Sequence, residues 1–227
     1  MTISNDSRAR IKKTFEPIAL GMGRLGLTPD ALTVIGFAIT VVGAILIAQQ
    51  TWVVGSVVIL FGGIFDMFDG TLARATGRVS SIGAFMDSVF DRAGEFVVYL
   101  GVIVGIQGLG IVNGTALAAA AMGSAMLVSY VRAKSEGLGF TTGSGMAAIG
   151  IMPREIRLVI LSLGLVLAGL LGNLPDTSSC PTCAGGASIG PGGLALLLAL
   201  GIITIGSILT VVQRILHVRR QAKRQSI

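Results

Sequence analysis

Asp66-Met67-Phe68-Asp69-Gly70-Thr71-Leu72-Ala73-Arg74, then eight residues, then Gly83-Ala84-Phe85-Met86-Asp87-Ser88-Val89-Phe90-Asp91: four aspartates interrupt two segments that are otherwise apolar. A carboxylate inside a bilayer costs kilocalories, so such residues are functional candidates by default. Four of them at i,i+3 and i,i+4 spacing must be paired or must hold cations.

The rest of the chain makes a membrane the right setting. Of 227 residues, 52% are hydrophobic and 12% charged, and 33 are glycine. Glycine is common where membrane helices pack closely. At roughly 20 apolar residues per span, the sequence predicts six spans near 31–49, 52–75, 82–107, 110–132, 156–173 and 192–213. Thr28-Pro29-Asp30 is a start signal for the first, with a threonine cap, proline at N1 and an acid in the first turn. No cleavable signal sequence is expected, because the N-terminal stretch is polar and basic before any long apolar run.

Charge sets the expected orientation. All 17 Lys and Arg fall before span one, around the loops between spans two and three and between four and five, or after span six. The opposite loops have none. The positive-inside rule places both termini and the basic loops in the cytoplasm. No stacking aromatics accompany the basic runs, which argues against nucleic acid and for anionic lipid and anionic substrate. From Arg8 to Leu27 the chain is too short and charged to span, and an amphipathic helix lying on the inner surface is expected.

The fold class read from these features is an all-α integral membrane protein. It has six transmembrane helices plus an N-terminal amphipathic juxtamembrane helix. The expected organisation is a juxtamembrane segment over 1–29, a six-helix domain over 30–216 and a basic cytoplasmic tail over 217–227. Cys180 and Cys183 (Cys-Pro-Thr-Cys) fall in an outer loop, where an oxidising exterior permits a small disulfide.

The acids can be placed further. Helical spacing puts Asp66, Asp69, Gly70 and Ala73 on one face of span two, and Gly83, Asp87 and Asp91 on one face of span three. In an antiparallel hairpin turning near Arg78, Asp69 and Asp87 lie at equal depth, and Asp66 and Asp91 form a second layer about one turn deeper. Four ionised carboxylates this close need neutralising. Hard oxygen ligands with no His or Cys nearby favour Mg²⁺, Mn²⁺ or Ca²⁺ over Zn²⁺. Four charges match two divalent ions, which can clamp a phosphate. Gly70 and Gly83 leave room for a substrate or a close helix contact. Arg74 can reach a phosphate from the same face.

The window Asp66-x2-Asp69-Gly70-x2-Ala73-Arg74-x8-Gly83-x3-Asp87-x3-Asp91 resembles the signature of the CDP-alcohol phosphotransferases at every defining position. The six-span layout is similar too. The resemblance implies transfer of a phosphatidyl-type group from a CDP-linked lipid to an alcohol with release of CMP, two divalent cations (Mg²⁺ or Mn²⁺) as cofactors, and a homodimer. It implies that Asp66, Asp69 and Asp87 ligate metal. Asp91 would help bind metal and act as general base. Gly70, Ala73, Arg74 and Gly83 would line the nucleotide pocket, with Thr33 beside it. The family usually has Asn where Asp30 stands.

A second basic cluster bears on the acceptor. Arg132 and Lys134 end span four, Arg154 and Arg157 share a face at the start of span five, and Arg214 closes span six. Converging cations suit a phosphorylated, water-soluble polyol. Ser129-Tyr-Val-Arg-Ala-Lys-Ser-Glu136, Arg154-Glu-Ile-Arg-Leu158 and Asp87-Ser-Val-Phe-Asp91-Arg92 with Glu95 resemble the phosphatidylinositol-phosphate and archaetidylinositol-phosphate synthases. That resemblance implies inositol 1-phosphate as acceptor, with Arg132, Arg154 and Arg214 on its phosphate. Glu155-Ile156 stands where that branch usually has Pro-Glu. Glycerol 3-phosphate is the competing acceptor. Intramembrane acids also occur in cation transporters, the rival class. The expected location is the cytoplasmic (inner) membrane, with an active site opening to the cytoplasm.

Overall fold

The computed structural model describes residues 17–107, 111, 113–140, 149–172 and 189–225. They form seven helices: α1 over 17–24, then α2 Pro29–Ala48, α3 Trp52–Ala75, α4 Ser81–Gln107, α5 Gly114–Gly137, α6 Arg154–Leu171 and α7 Pro191–Gln225. No strand occurs among the described residues. The six long helices fall where the apolar runs predict them. The expected boundaries at 132 and 213 are overshot, because α5 and α7 continue beyond their apolar stretches into Ala133–Gly137 and Arg214–Gln225. At a rise of about 1.5 Å per residue, the 35 residues of α7 exceed the ~30 Å hydrocarbon layer.

Local chemistry explains the first entry into the bundle. The Thr28 side chain accepts a hydrogen bond from the Ala31 amide at 3.2 Å, and Pro29 opens the helix where its missing N–H costs nothing. Before it, α1 covers the second half of the expected juxtamembrane helix. Ala19 is fully buried in a cluster with Leu32, Phe68 and Leu72, and Met22 packs against it. That cluster seats α1 on α2 and α3 beside the acidic motif. Residues 8–16, Cys180 and Cys183 lie outside the described residues.

The long helices pack in a ring, each on two neighbours, in the order α2, α3, α6, α7, α5, α4 and back to α2. The α2–α3 contact is backbone on backbone. A Cβ on Gly43 would stand 3.1 Å from the Gly55 carbonyl oxygen, and one on Gly55 would stand 2.9 Å from the Gly43 oxygen. Gly36 and Gly62 repeat this reciprocal contact two turns away. Side chains at these positions would push the helices apart.

One expectation is corrected here. Consecutive spans two and three were expected to pack as a hairpin. Instead α2 packs on both α3 and α4, and the α3–α4 pair is not among the extensive helix contacts. Facing carboxylates repel and cannot seal an apolar seam, so the gap between these helices is left for the site.

Beyond the acids the ring closes over an apolar core that includes Ile47, Trp52, Val98, Val102, Ile106, Leu165, Leu196 and Leu200. Large apolar side chains cover the outside as well, among them Val42, Val57, Phe61, Leu163, Leu170 and Ile205. A surface this apolar suits lipid rather than water. Four helices, α2, α3, α5 and α7, are long and apolar enough to cross a membrane. The other two carry inward-facing charge: Asp87, Asp91 and Glu95 on α4, and Arg154 and Arg157 on α6.

Candidate active site

Asp66 and Asp69 are three residues apart on α3, and Asp87 and Asp91 four apart on α4. The ring turns both pairs inward. Carboxylate oxygens of Asp66, Asp69 and Asp87 all lie within 4.8 Å of one another. A divalent cation with oxygen ligands at about 2.0–2.6 Å can bridge three oxygens so placed, and no His or Cys joins the group among the described residues. The donor set therefore fits Mg²⁺ or Mn²⁺.

Asp69 is the most enclosed of the acids, 5% exposed. The Thr33 hydroxyl of α2 donates to its Oδ2 at 2.5 Å, and the Gly70 amide donates to Oδ1. Both oxygens are thus held from the protein side, which fixes the carboxylate's direction. Asp66 and Asp91 meet a different partner. The Arg154 guanidinium, at the first residue of α6, lies 3.4 Å from Asp66 Oδ2 and is ion-paired with Asp91 Oδ1. Arg154 thus joins Asp66 to Asp91, while Asp66 also lies with Asp69 and Asp87.

Two spaces meet at the acids. One is an open cleft, lined by Thr33, Asp69, Gly70, Ala73, Arg74, Arg78, Gly83 and Asp87 among others. Every residue expected at the nucleotide lines it. Gly70 and Gly83 leave that wall low: a Cβ on Gly70 would press the Arg74 guanidinium at 3.1 Å, and one on Gly83 would meet Ser80 Oγ at 3.0 Å. The second space is a narrow inner cavity, bordered by Asp66, Asp91, Glu95, Tyr99, Arg154 and Arg157 with Thr40 and apolar side chains. Tyr99 is buried, and its hydroxyl has no hydrogen-bond partner among the described residues.

Of the five cations expected on the acceptor, Arg154 is the one that contacts the aspartates among the described residues. Arg157 is 1% exposed. It forks onto Glu95, with Nε 2.7 Å from Oε1 and Nη2 2.8 Å from Oε2, while Nη1 donates to the Met152 carbonyl at 3.0 Å. Arg214, 3% exposed, donates from Nε to the Ile149 carbonyl at 2.9 Å and from Nη1 to the Val128 carbonyl at 2.7 Å. A buried guanidinium must be satisfied inside the protein, and these two are. Arg132 pairs with Glu136 at 3.0 Å on the half-exposed end of α5, and Lys134 is exposed there.

Sequence reasoning singled out Glu95 only through resemblance, and it missed Tyr99, Thr210 and Met152. The signal for Glu95 was present. It lies one turn beyond Asp91, as Arg157 lies one turn beyond Arg154, so two acids and two cations share the facing stripes of α4 and α6.

Comparison with known proteins agrees with this architecture. Residues 26–178 match the family model described as CDP-alcohol phosphatidyltransferase. A phosphatidylinositol phosphate synthase of Cutibacterium acnes is 36% identical, over 94% of this chain and 96% of its own length. An archaetidylinositol phosphate synthase of Pyrococcus horikoshii is 36% identical over 68% of this chain and 77% of its own. The crystal structure of Mycobacterium tuberculosis phosphatidylinositol phosphate synthase (PgsA1) with CDP-DAG bound superposes with a TM-score of 0.74 at 27% identity, covering 91% of this chain and 94% of that one. The same enzyme in complex with manganese and citrate superposes with a TM-score of 0.71, at 27% identity over 90% of this chain and 88% of that one. Motif, ring of helices and relatives agree, and the chain belongs to the CDP-alcohol phosphatidyltransferase family.

Proposed function

We propose that this protein transfers the phosphatidyl-type group of a CDP-linked lipid to a phosphorylated polyol, inositol 1-phosphate, and releases CMP. The observation that carries the reading is the division of the acids between two spaces, an open cleft bearing the nucleotide-type residues and an inner cavity bearing Arg154. Membership of a transferase family sets aside the cation-transporter reading. The relatives named for inositol phosphate support the acceptor.

In the mechanism, Gly70, Ala73, Arg74, Gly83 and Thr33 seat the cytidine diphosphate part. Two divalent cations, Mg²⁺ or Mn²⁺, on Asp66, Asp69, Asp87 and Asp91 would neutralise the donor pyrophosphate and the departing CMP. Thr33 and the Gly70 amide hold Asp69 rigid for that task. Arg154 meets the acceptor's phosphate, its guanidinium suiting a planar oxyanion contact. Arg132 and Lys134 supply positive charge at the entrance. Asp91 receives the proton of the acceptor hydroxyl. The hydroxyl oxygen bonds to the lipid-linked phosphorus, and the phosphoanhydride bond breaks, its electron pair leaving on CMP. A carboxylate is a weak base, so proximity within the enclosed site supplies much of the acceleration.

All six long helices cross the cytoplasmic (inner) membrane in this reading, with both termini and the cleft on the cytoplasmic side. The grouping of Lys and Arg and the apolar outer surface support this. Residues 1–29 lie on the membrane, 30–216 form the catalytic unit and 217–227 a basic tail on anionic lipids. The active form is a homodimer.

The test offers purified protein CDP-diacylglycerol with inositol 1-phosphate, glycerol 3-phosphate, inositol or serine, and identifies the lipid product. A phosphorylated inositol lipid is the expected result. Product from glycerol 3-phosphate alone would reassign the acceptor, and CMP release with none of the four would remove the reading.

A further inference from the structure

Among the described residues Arg154 is the one cation in contact with the aspartates, and it stands at the start of a helix, next to a loop. Loop ends are mobile unless tied. The segment before Arg154 is tied to α7 and α6 and, through their side chains, to α5 and α4. Arg214 of α7 donates to the Ile149 carbonyl and, with a second nitrogen, to the Val128 carbonyl of α5. The Met152 amide donates to Thr210 Oγ1 of α7 at 3.0 Å. The Met152 carbonyl accepts from Arg157 Nη1 at 3.0 Å, and that guanidinium is itself clamped by Glu95 of α4. Gly150, at φ +119, turns the chain flat against Thr210, where a side chain would both collide and be strained. Only Pro153, with its ring-fixed φ of −67, separates Met152 from Arg154.

We propose that Glu95 and Arg157 are positioning residues for the acceptor half of the reaction: their ion pair holds the turn before α6 so that Arg154 stands against Asp66 and Asp91. A buried ion pair is a poor device for stability alone, because apolar residues of equal volume do as well. A guanidinium fork adds geometry. It fixes an angle between α4 and the Met152 peptide that no apolar contact could set. The pair also joins the helix that carries Asp91 to the helix that carries Arg154. The proposal rests on the acceptor reading above, in which Arg154 meets the acceptor phosphate.

The test uses the full-length protein in detergent with CDP-diacylglycerol, inositol 1-phosphate and Mn²⁺. Variants are Glu95→Gln, Arg157→Lys, the double variant E95Q/R157Q, and Thr210→Val, which loosens the same peptide from the opposite side without changing charge. Thermal unfolding first establishes that each is folded. The acceptor KM should rise about tenfold or more in E95Q and R157K, the scale of a lost charged hydrogen bond. The donor KM and the Mn²⁺ affinity measured by electron paramagnetic resonance should stay within about twofold, and T210V should raise the acceptor KM by about threefold. E95Q/R157Q should be no worse than the singles, because one clamp is lost once.

A rise in R157K without one in E95Q would mean that Arg157 touches the acceptor itself, and would overturn the proposal. Equal losses for donor, acceptor and Mn²⁺ would overturn it too, by showing a purely structural pair. Should E95Q prove unfolded, T210V decides: an unchanged acceptor KM sinks the idea. If the unmodified protein uses only glycerol 3-phosphate, the acceptor reading fails separately, and the same KM comparison is made with that substrate.

Discussion

The cleft and the inner cavity divide the acids between them, share Thr33, and are assembled differently. The cleft draws most of its lining from one stretch, Asp69 to Asp87. The cavity draws on four helices, and its polar contacts join residues far apart in the chain, Asp66 with Arg154 and Glu95 with Arg157. One region is a local motif and the other a product of the ring. The difference teaches that, in the proposed reading, spacing alone carries the donor side, while acceptor choice rests on how α6 is presented to α4.

Removing the metals strikes both regions at once and should have the largest effect. Chelation should abolish CMP release, and added Mg²⁺ or Mn²⁺ should restore it. Full turnover after exhaustive chelation would dissolve the division. Neutralising the acid shared by the proton transfer and the Arg154 pair comes next. Asp91→Asn should lower kcat by about 10²–10⁴-fold with little change in donor KM, as read in single-turnover assays.

A crossed pair of substitutions then separates the two spaces. Arg154→Gln should raise the acceptor KM by about 10–100-fold, and Arg74→Gln should raise the donor KM instead, each on the scale of one charged hydrogen bond. Equal effects of either variant on both substrates would erase the boundary. The smallest change probes the wall where the spaces touch. Thr33→Val removes the hydroxyl held by Asp69, and kcat should fall by about fivefold, the worth of roughly 1 kcal/mol, with the melting temperature nearly unchanged.

How much of this was legible follows the same boundary. The helix positions, the inward acids and the lining of the cleft could be read because they obey period and spacing within α3 and α4. The start of α2 could be read because Thr28, Pro29 and Asp30 form a local cap. The fate of Arg157 and Arg214 could not. A basic residue near a helix end reads alike whether it meets substrate or a carbonyl, and only packing decides. Arg157 looked free because its partner, Glu95, is on another helix. The loose α3–α4 packing has the same root: Gly36, Gly43, Gly55 and Gly62 let α2 approach α3 so closely that α2, not α4, becomes its packed neighbour.

Because Thr33 and the acids form a common wall, the two chambers lie back to back. A single compound carrying a cytidine-diphosphate-like end and a phosphorylated-polyol-like end could occupy both at once. Its second contact would form intramolecularly, so the two modest affinities would multiply at high effective concentration. Such a tethered inhibitor would discriminate this protein from family members that share the cleft but present a different sixth helix.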